Sequence, residues 1–162
     1  MKHSKFSMPG YALPILFFQV AGRLLGTDLK WVREVVPARQ LSHIPNANSF
    51  VAGVVNIRGD VISVLDARFL LKNQETGTHW DRIILIDTTG APVGLAVDTV
   101  LSVQAVMPET FSAISQSDLD YMPEQFISGV TSWNSERVPL LHIPALMAHL
   151  QEDIPHTKEA RA

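Results

Sequence analysis

Gly53-Val54-Val55-Asn56-Ile57-Arg58-Gly59-Asp60-Val61-Ile62-Ser63-Val64-Leu65-Asp66 reads as strand, tight turn and strand. Valine and isoleucine fill both arms, and β-branched side chains favour a pleated surface. Asn56 and Gly59 suit the turn, and Gly59 can take the positive φ that a tight hairpin demands. Arg58 stands at a strand end among apolar neighbours. Three fates are open to it: a solvated guanidinium, one pinned by Asp60 or Asp66, or a fixed fork of donors presented at a protein interface.

The pattern returns downstream. A shift of 76 residues carries Gly53-Val54-Val55 onto Gly129-Val130-Thr131, and Ile62-Ser63-Val64-Leu65-Asp66 onto Val138-Pro139-Leu140-Leu141-His142. Upstream, a shift of 68 carries Ile15-Leu16-Phe17-Phe18-Gln19, Gly22, Leu25-Gly26, Leu29, Val32 and Val35 onto Ile83-Ile84-Leu85-Ile86-Asp87, Gly90, Val93-Gly94, Val97, Val100 and Val103. The shift grows by 8 because the connector from about Met107 to Gln125 is longer than its counterpart, Pro37 to Ser49. Two ungapped blocks in the same order, glycines included, mark an internal duplication.

Each copy predicts five short strands. They lie at 15–20, 25–28, 32–36, 51–57 and 61–65, and again at 83–88, 93–97, 100–106, 127–132 and 138–141. Gly22 and Gly90 are expected to supply positive φ in the first turn of each copy. Five short strands with turns between them suggest a small closed barrel, which leaves no open edge. Each copy ends in a short helix. The first is capped by Asp66, runs over 67–71 and ends near Asn73. The second has Pro144 in its first turn and Ile143, Leu146, Met147 and Leu150 on one face.

The chain has 162 residues, 46% of them hydrophobic and 18% charged, so it is long enough and apolar enough for a buried core. Valine and isoleucine number 27, in keeping with strands. The net charge of −3 and pI near 6.0 argue against a general nucleic-acid binder. The absence of cysteine excludes disulfides, thiolate zinc sites and thiol catalysis and fits a reducing cytoplasm. No apolar run approaches the roughly 20 residues that span a bilayer. Lys2 and Lys5 ahead of Tyr11 to Phe18 imitate a signal peptide, but Pro9, Gly10 and Pro14 break it. The charged stretch 151–162 and the first ten residues read as flexible termini.

Catalytic and metal signatures are missing. No Gly-rich phosphate loop, nucleophile elbow or His-Glu-x-x-His appears. His142 and His149 are two helical turns apart, too far for one metal. Asp87 and Asp98 read as strand-end and turn residues. Glu109, Asp118, Asp120 and Glu124 lack a compensating base and read as a solvated loop. The ring of Trp31 could lie on either face of its strand. Two rival functions remain: a nucleic-acid barrel using Trp31 with Lys30, Arg33 and Arg39, and a hydrolase using Asp66 with His142 or His79.

At the opening stretch the chain resembles the CheW family, the adaptors of bacterial chemosensory arrays. That family's hallmark is roughly Gly-x-x-Asn-Leu-Arg-Gly-x-x-x-Pro-x-x-Asp-Leu-Arg. It stands here as Gly53-Val54-Val55-Asn56-Ile57-Arg58-Gly59, then Ser63 in place of proline, then Asp66-Ala67-Arg68. Leu29 to Val35 and Val93 to Asp98 resemble two further family patterns. The resemblance covers about Leu16 to Leu150. It implies a mainly β fold: two SH3-like five-stranded β-barrel subdomains packed through a shared core, with short helices including a C-terminal one. One CheW-like domain would span 11–150, with subdomains at about 15–73 and 80–150. It implies a cytoplasmic scaffold with no catalytic residue, cofactor or metal, recruited to receptor arrays without entering the membrane. The partners would be the regulatory domain of a CheA-type histidine kinase and the signalling tip of a methyl-accepting chemoreceptor. Val32, Glu34 and Arg58 match family positions tied to partner coupling, and Asn56 and Gly59 complete the partner-binding set. A related adaptor of pilus motility or another chemosensory pathway is the alternative.

Overall fold

The computed structural model describes residues 11–72 and 79–150. The termini 1–10 and 151–162, and Asn73 at the expected end of the first helix, lie outside the described residues. All ten predicted strands form: β1 (Leu13–Val20), β2 (Arg23–Asp28), β3 (Val32–Pro37), β4 (Val51–Ile57), β5 (Asp60–Asp66), β6 (Arg82–Ile86), β7 (Val93–Val97), β8 (Thr99–Val106), β9 (Ile127–Trp133) and β10 (Glu136–Leu141). They build two five-stranded sheets, ordered β8-β1-β2-β10-β9 and β3-β6-β7-β5-β4. The expected pair of five-stranded β units is therefore present.

The sheets do not follow the copies. Each copy's first two strands sit in the sheet completed by the other copy's last three. The ranges 15–73 and 80–150 thus mark repeats in sequence, and neither holds a complete sheet. The crossing begins at Asp28, whose carboxylate accepts the Lys30 N–H and caps a 3-10 turn, Leu29–Trp31. That turn carries the chain out of the first sheet and into β3, an edge of the second. In return, β8 leaves β7 at Asp98 and pairs with β1.

The exchange is reciprocal down to single residues. β2 lies parallel to β10 with Gly26 opposite Leu140, and β7 lies parallel to β5 with Gly94 opposite Val64. These pairs are equivalent under the two shifts. A Cβ on Gly26 would fall 2.8 Å from Leu140 Cδ2, and one on Gly94 would fall 2.8 Å from Ile83 Cγ2. The shared glycines of the repeat are therefore set by close packing at the parallel seam. Gly22 has the expected positive φ of 76°, but Gly90 does not adopt one. Its turn is longer: β6 and β7 are joined by 87–92, where β1 and β2 are joined by Ala21-Gly22 alone.

β1 and β6 are central strands buried on both faces, which explains their unbroken apolar runs. Leu16, Phe18 and Val20 of β1 and Ile84 and Ile86 of β6 meet in one core shared by both sheets. Their alternate neighbours face two smaller clusters. Ile15 and Phe17 pack with Val138 and Leu140, while Ile83 and Leu85 pack with Val55, Ile62 and Val64. Each such side chain contributes roughly 1.5–3 kcal/mol by leaving water. The first copy ends in a 3-10 turn, Ala67–Leu70, capped as expected by Asp66, which accepts from the Arg68 N–H at 3.0 Å. The second ends in a helix over Ile143–Leu150 that buries Ile143, Leu146 and Leu150 against the shared core. His142 caps it, its Nδ1 accepting from the Ala145 N–H at 3.0 Å.

The long connector is pinned, contrary to the solvated loop expected of its acids. Asp118, on a single helical turn (Gln116–Leu119), is 1% exposed and does have a base. Arg137 Nη2 of β10 donates to its Oδ2 at 2.7 Å, and the Ser115 N–H donates to the same oxygen at 2.8 Å. Burial pushes this carboxyl's pKa up, but the bonds from Arg137 and Ser115 outweigh it and hold the group below the usual carboxylate range. Proximity in sequence hides this pair, since Arg137 lies 19 residues away.

Candidate partner-binding site

The β4–β5 hairpin closes in a two-residue turn, with Ile57 facing Asp60. Arg58 and Gly59 have φ of +50° and +91°. Positive φ at both central residues is what a type I′ hairpin requires. A non-glycine residue rarely adopts it, so the backbone holds Arg58 in a restricted conformation. Asn56 locks the turn: its Oδ1 accepts from the Gly59 N–H at 3.0 Å.

The guanidinium is met by Glu34. Arg58 Nη2 donates to Glu34 Oε2, and Nη1 reaches Oε1 at 3.4 Å. Neither Asp60 nor Asp66 is the partner. Asp60 adds only a nearby negative charge, and Asp66 is buried as the cap of the 3-10 turn. The hydrogen bond from Arg58 holds the Glu34 carboxyl below the usual carboxylate range, against the upward push of desolvation. The same bond raises the Arg58 guanidinium further. Both groups are therefore charged across the ordinary pH range.

Glu34 lies on β3 and Arg58 at the tip of β4–β5, and β3 and β4 are the two edges of the second sheet. The ion pair links these edges. The Arg58 side chain is still 71% exposed, against 28% for Glu34. The arginine is thus oriented without being covered, which suits recognition of an acidic or planar group. Val32, two residues before Glu34 on β3, lies opposite Ile86 and packs partly against the shared core, whereas Glu34 lies opposite Leu85, whose side chain faces the other cluster. A bulge between Val32 and Glu34 displaces them from simple register with β6. The exposed side of β3 presents Arg33, which is paired with Asp87 at 2.9 Å. All five sequence-predicted residues therefore map to two neighbouring features, the start of β3 and the β4–β5 turn. Nothing local in sequence points to Glu34 as the counter-ion of Arg58, 24 residues away.

The remaining candidates have local structural roles. Asp66 and His142 cap equivalent turns in the two halves. Asp98 accepts from the Gly22 N–H and from Arg68. Trp31 packs partly against the shared core. Among the described residues no group of three histidine or acidic side chains could hold a metal ion. No helix among them is long and apolar enough to cross a membrane.

Comparison with known proteins agrees with this architecture. The chemotaxis protein CheW of Treponema pallidum is 27% identical over 121 residues, covering 72% of this chain and 66% of that protein. PilI of Pseudomonas aeruginosa is 27% identical over 83% of this chain and 74% of its own length. FrzA of Myxococcus xanthus is 34% identical over 55% of this chain and 56% of its own length. The crystal structure of the scaffolding protein TtCheW from Thermoanaerobacter tengcongensis has the same fold, with a TM-score of 0.68, 24% identity, and coverage of 80% of this chain and 88% of that one. The CheW-like domain model matches residues 14–151, from the first residues of β1 to the end of the C-terminal helix. The chain belongs to the family of CheW-like domains, the chemosensory adaptor scaffolds.

Proposed function

We propose that this chain is a non-enzymatic cytoplasmic adaptor that holds the regulatory domain of a CheA-type histidine kinase beside the signalling tip of a methyl-accepting chemoreceptor, with Val32, Glu34, Asn56, Arg58 and Gly59 in its partner-binding surface. The observation that carries this reading is the Glu34–Arg58 pair. It is an oriented yet exposed ion pair, at positions that the family resemblance ties to partner coupling. Exposed ion pairs contribute little to folding, so stability alone accounts poorly for a guanidinium oriented in this way. Holding kinase and receptor together raises their effective concentration. Receptor state passes to the kinase only insofar as the adaptor binds the two receptor states unequally. Such contacts can be modest in area and micromolar in affinity.

Co-purification of the chain with a CheA regulatory domain and a receptor signalling tip tests the proposal. Both should be retained by the wild-type chain, and Arg58→Glu should release at least one while melting unchanged. Failure of the wild-type chain to retain either partner contradicts it. A second reading rests on the similarity to PilI and FrzA. In it the same scaffold serves pilus motility or another chemosensory output, and kinases from those pathways would be retained in preference.

A further inference from the structure

One space is filled by a side chain in the first copy of the repeat and left open in the second. The side chain of Arg68 is only 18% exposed, and its Nη2 donates to Asp98 Oδ1 at 3.1 Å. Under the shifts of the repeat, Arg68 corresponds to Pro144. A long side chain is thus matched by a short ring that cannot reach as far. Beside Pro144 lies a cavity of about 320 Å³. Buried Ile15 of β1 and Ile143 of the C-terminal helix form part of its wall, and half-buried Leu13, Trp31 and Phe111 line it with them.

An apolar cavity of roughly 150 Å³ accommodates one benzene ring, so this one has room for a ring with a short substituent. The chemistry of the lining selects the same kind of body. Each of its polar side chains has a partner within the protein. Ser128 Oγ donates to the carbonyls of Leu140 and Leu141, Asp28 Oδ1 accepts from the Lys30 N–H, and His142 Nδ1 accepts from the Ala145 N–H. The Lys30 ammonium lies over the Trp31 ring, 5.3 Å from its centroid. The acids beside the Arg68 guanidinium have no counterpart here, because His142 and Lys30 take the places of Asp66 and Asp98. A charged ligand of either sign would therefore give up its water without gaining a dedicated partner. An apolar one would exchange water for hydrocarbon and aromatic walls. We infer that this cavity binds a small, uncharged, single-ring aromatic molecule, held between Ile15, Trp31 and Phe111.

The probes are toluene and benzoate, which share a ring and differ by a methyl group against a carboxylate. Each is titrated into the full chain and followed by NMR of the methyl groups and of the indole N–H groups. Toluene should give saturable shifts centred on Leu13, Ile15, Ile143 and the Trp31 indole. Benzoate should bind at least about tenfold more weakly, since its charge must be desolvated. Pro144→Arg, which restores the side chain of the first copy, should abolish toluene binding at an unchanged melting temperature. If that variant does not fold, Leu13→Trp narrows the same space and should weaken toluene binding by about tenfold or more. Benzoate binding as tightly as toluene, shifts that are scattered or do not saturate, or undiminished binding by a folded filled variant would overturn the inference. So would a toluene-insensitive dimer that Pro144→Arg dissociates, because a second copy would then close the cavity.

Discussion

The β4–β5 turn and the β9–β10 turn are the same feature made twice, and they have diverged. Both are two-residue turns with positive φ at each central position: Arg58 and Gly59 in one, Asn134 (+52°) and Ser135 (+65°) in the other. Backbone geometry has been kept and side-chain chemistry has not. Only the first turn carries a guanidinium, and only there does the facing edge strand supply an acid. β3 offers Glu34, whereas the equivalent place on β8 is Ser102. The outward residues differ in the same sense. β3 presents Arg33, Val35 and Pro37, while β8 presents Leu101, Val103 and Ala105, all exposed. A charged, proline-ended edge resists unwanted strand pairing better than an apolar one. The duplicated core preserves the fold, while the exposed chemistry of the two turns and the two edge strands has diverged.

The two halves differ most at Gly53, where a bulge between Val51 and Gly53 interrupts the register of β4 with β5. Its φ is +153°, and a Cβ there would lie 2.1 Å from the Ser42 carbonyl oxygen, which is backbone. At the equivalent Gly129, φ is ordinary and the nearest atom would be Phe111 Cδ2 at 3.4 Å. Gly53→Ala should cost about 4 kcal/mol or prevent folding, and Gly129→Ala well under half of that, by chemical denaturation. Equal costs would mean that the bulge at Gly53 relaxes freely.

The parallel seams give a smaller contrast. At Gly94 a new Cβ would crowd Ile83 Cγ2 and Val64 Cγ2, both on stiff β-branched side chains. At Gly26 the closest atom is the far end of Leu140, which can rotate away, and only Ile15 Cγ2, at 3.0 Å, belongs to a stiff side chain. Gly94→Ala should cost about 2 kcal/mol and Gly26→Ala about 1 kcal/mol.

The two connectors respond differently to pH. Only the second half has the buried Asp118–Arg137 pair, since the residue equivalent to Arg137 is Val61. The folded carboxyl titrates below its unfolded value, so the stability it lends is complete above about pH 4 and is lost as pH falls through the folded value. Arg137→Met removes the dominant counterweight to burial. The Asp118 carboxyl should then titrate higher and the acid limb of the stability curve should begin at higher pH. The cost at neutral pH should be about 1 kcal/mol, kept small because the Arg137 side chain is 41% exposed. An unchanged acid limb would show that Ser115 alone holds the carboxylate.

Strands, turns and the repeat were legible because their signals are local: period-two burial, turn residues and glycines at a fixed shift. Even the double burial of β1 and β6 is visible in Ile15 to Phe18 and Ile83 to Ile86. Strand exchange was not legible, because the repeat says that β2 resembles β7 without saying whether β2 lies beside β3 or β10. Long-range ion pairs were equally hidden. Arg58 had Asp60 within two residues and Asp66 within eight, yet burial claimed Asp66 as a cap and folding brought Glu34 from another strand. Family resemblance named the candidate residues; the structure pairs Arg58 with Glu34 and Gly59 with Asn56.

Whether the surface difference between the halves determines partner choice is decided by one paired titration. Arg58→Glu and Asn134→Glu place the same charge at equivalent turns, and each is titrated with the CheA regulatory domain and the receptor tip by calorimetry. The account predicts that Arg58→Glu weakens binding of at least one partner by about tenfold or more at an unchanged melting temperature, and that Asn134→Glu leaves that partner's binding intact. Equal weakening by both substitutions, or none by Arg58→Glu, would contradict it.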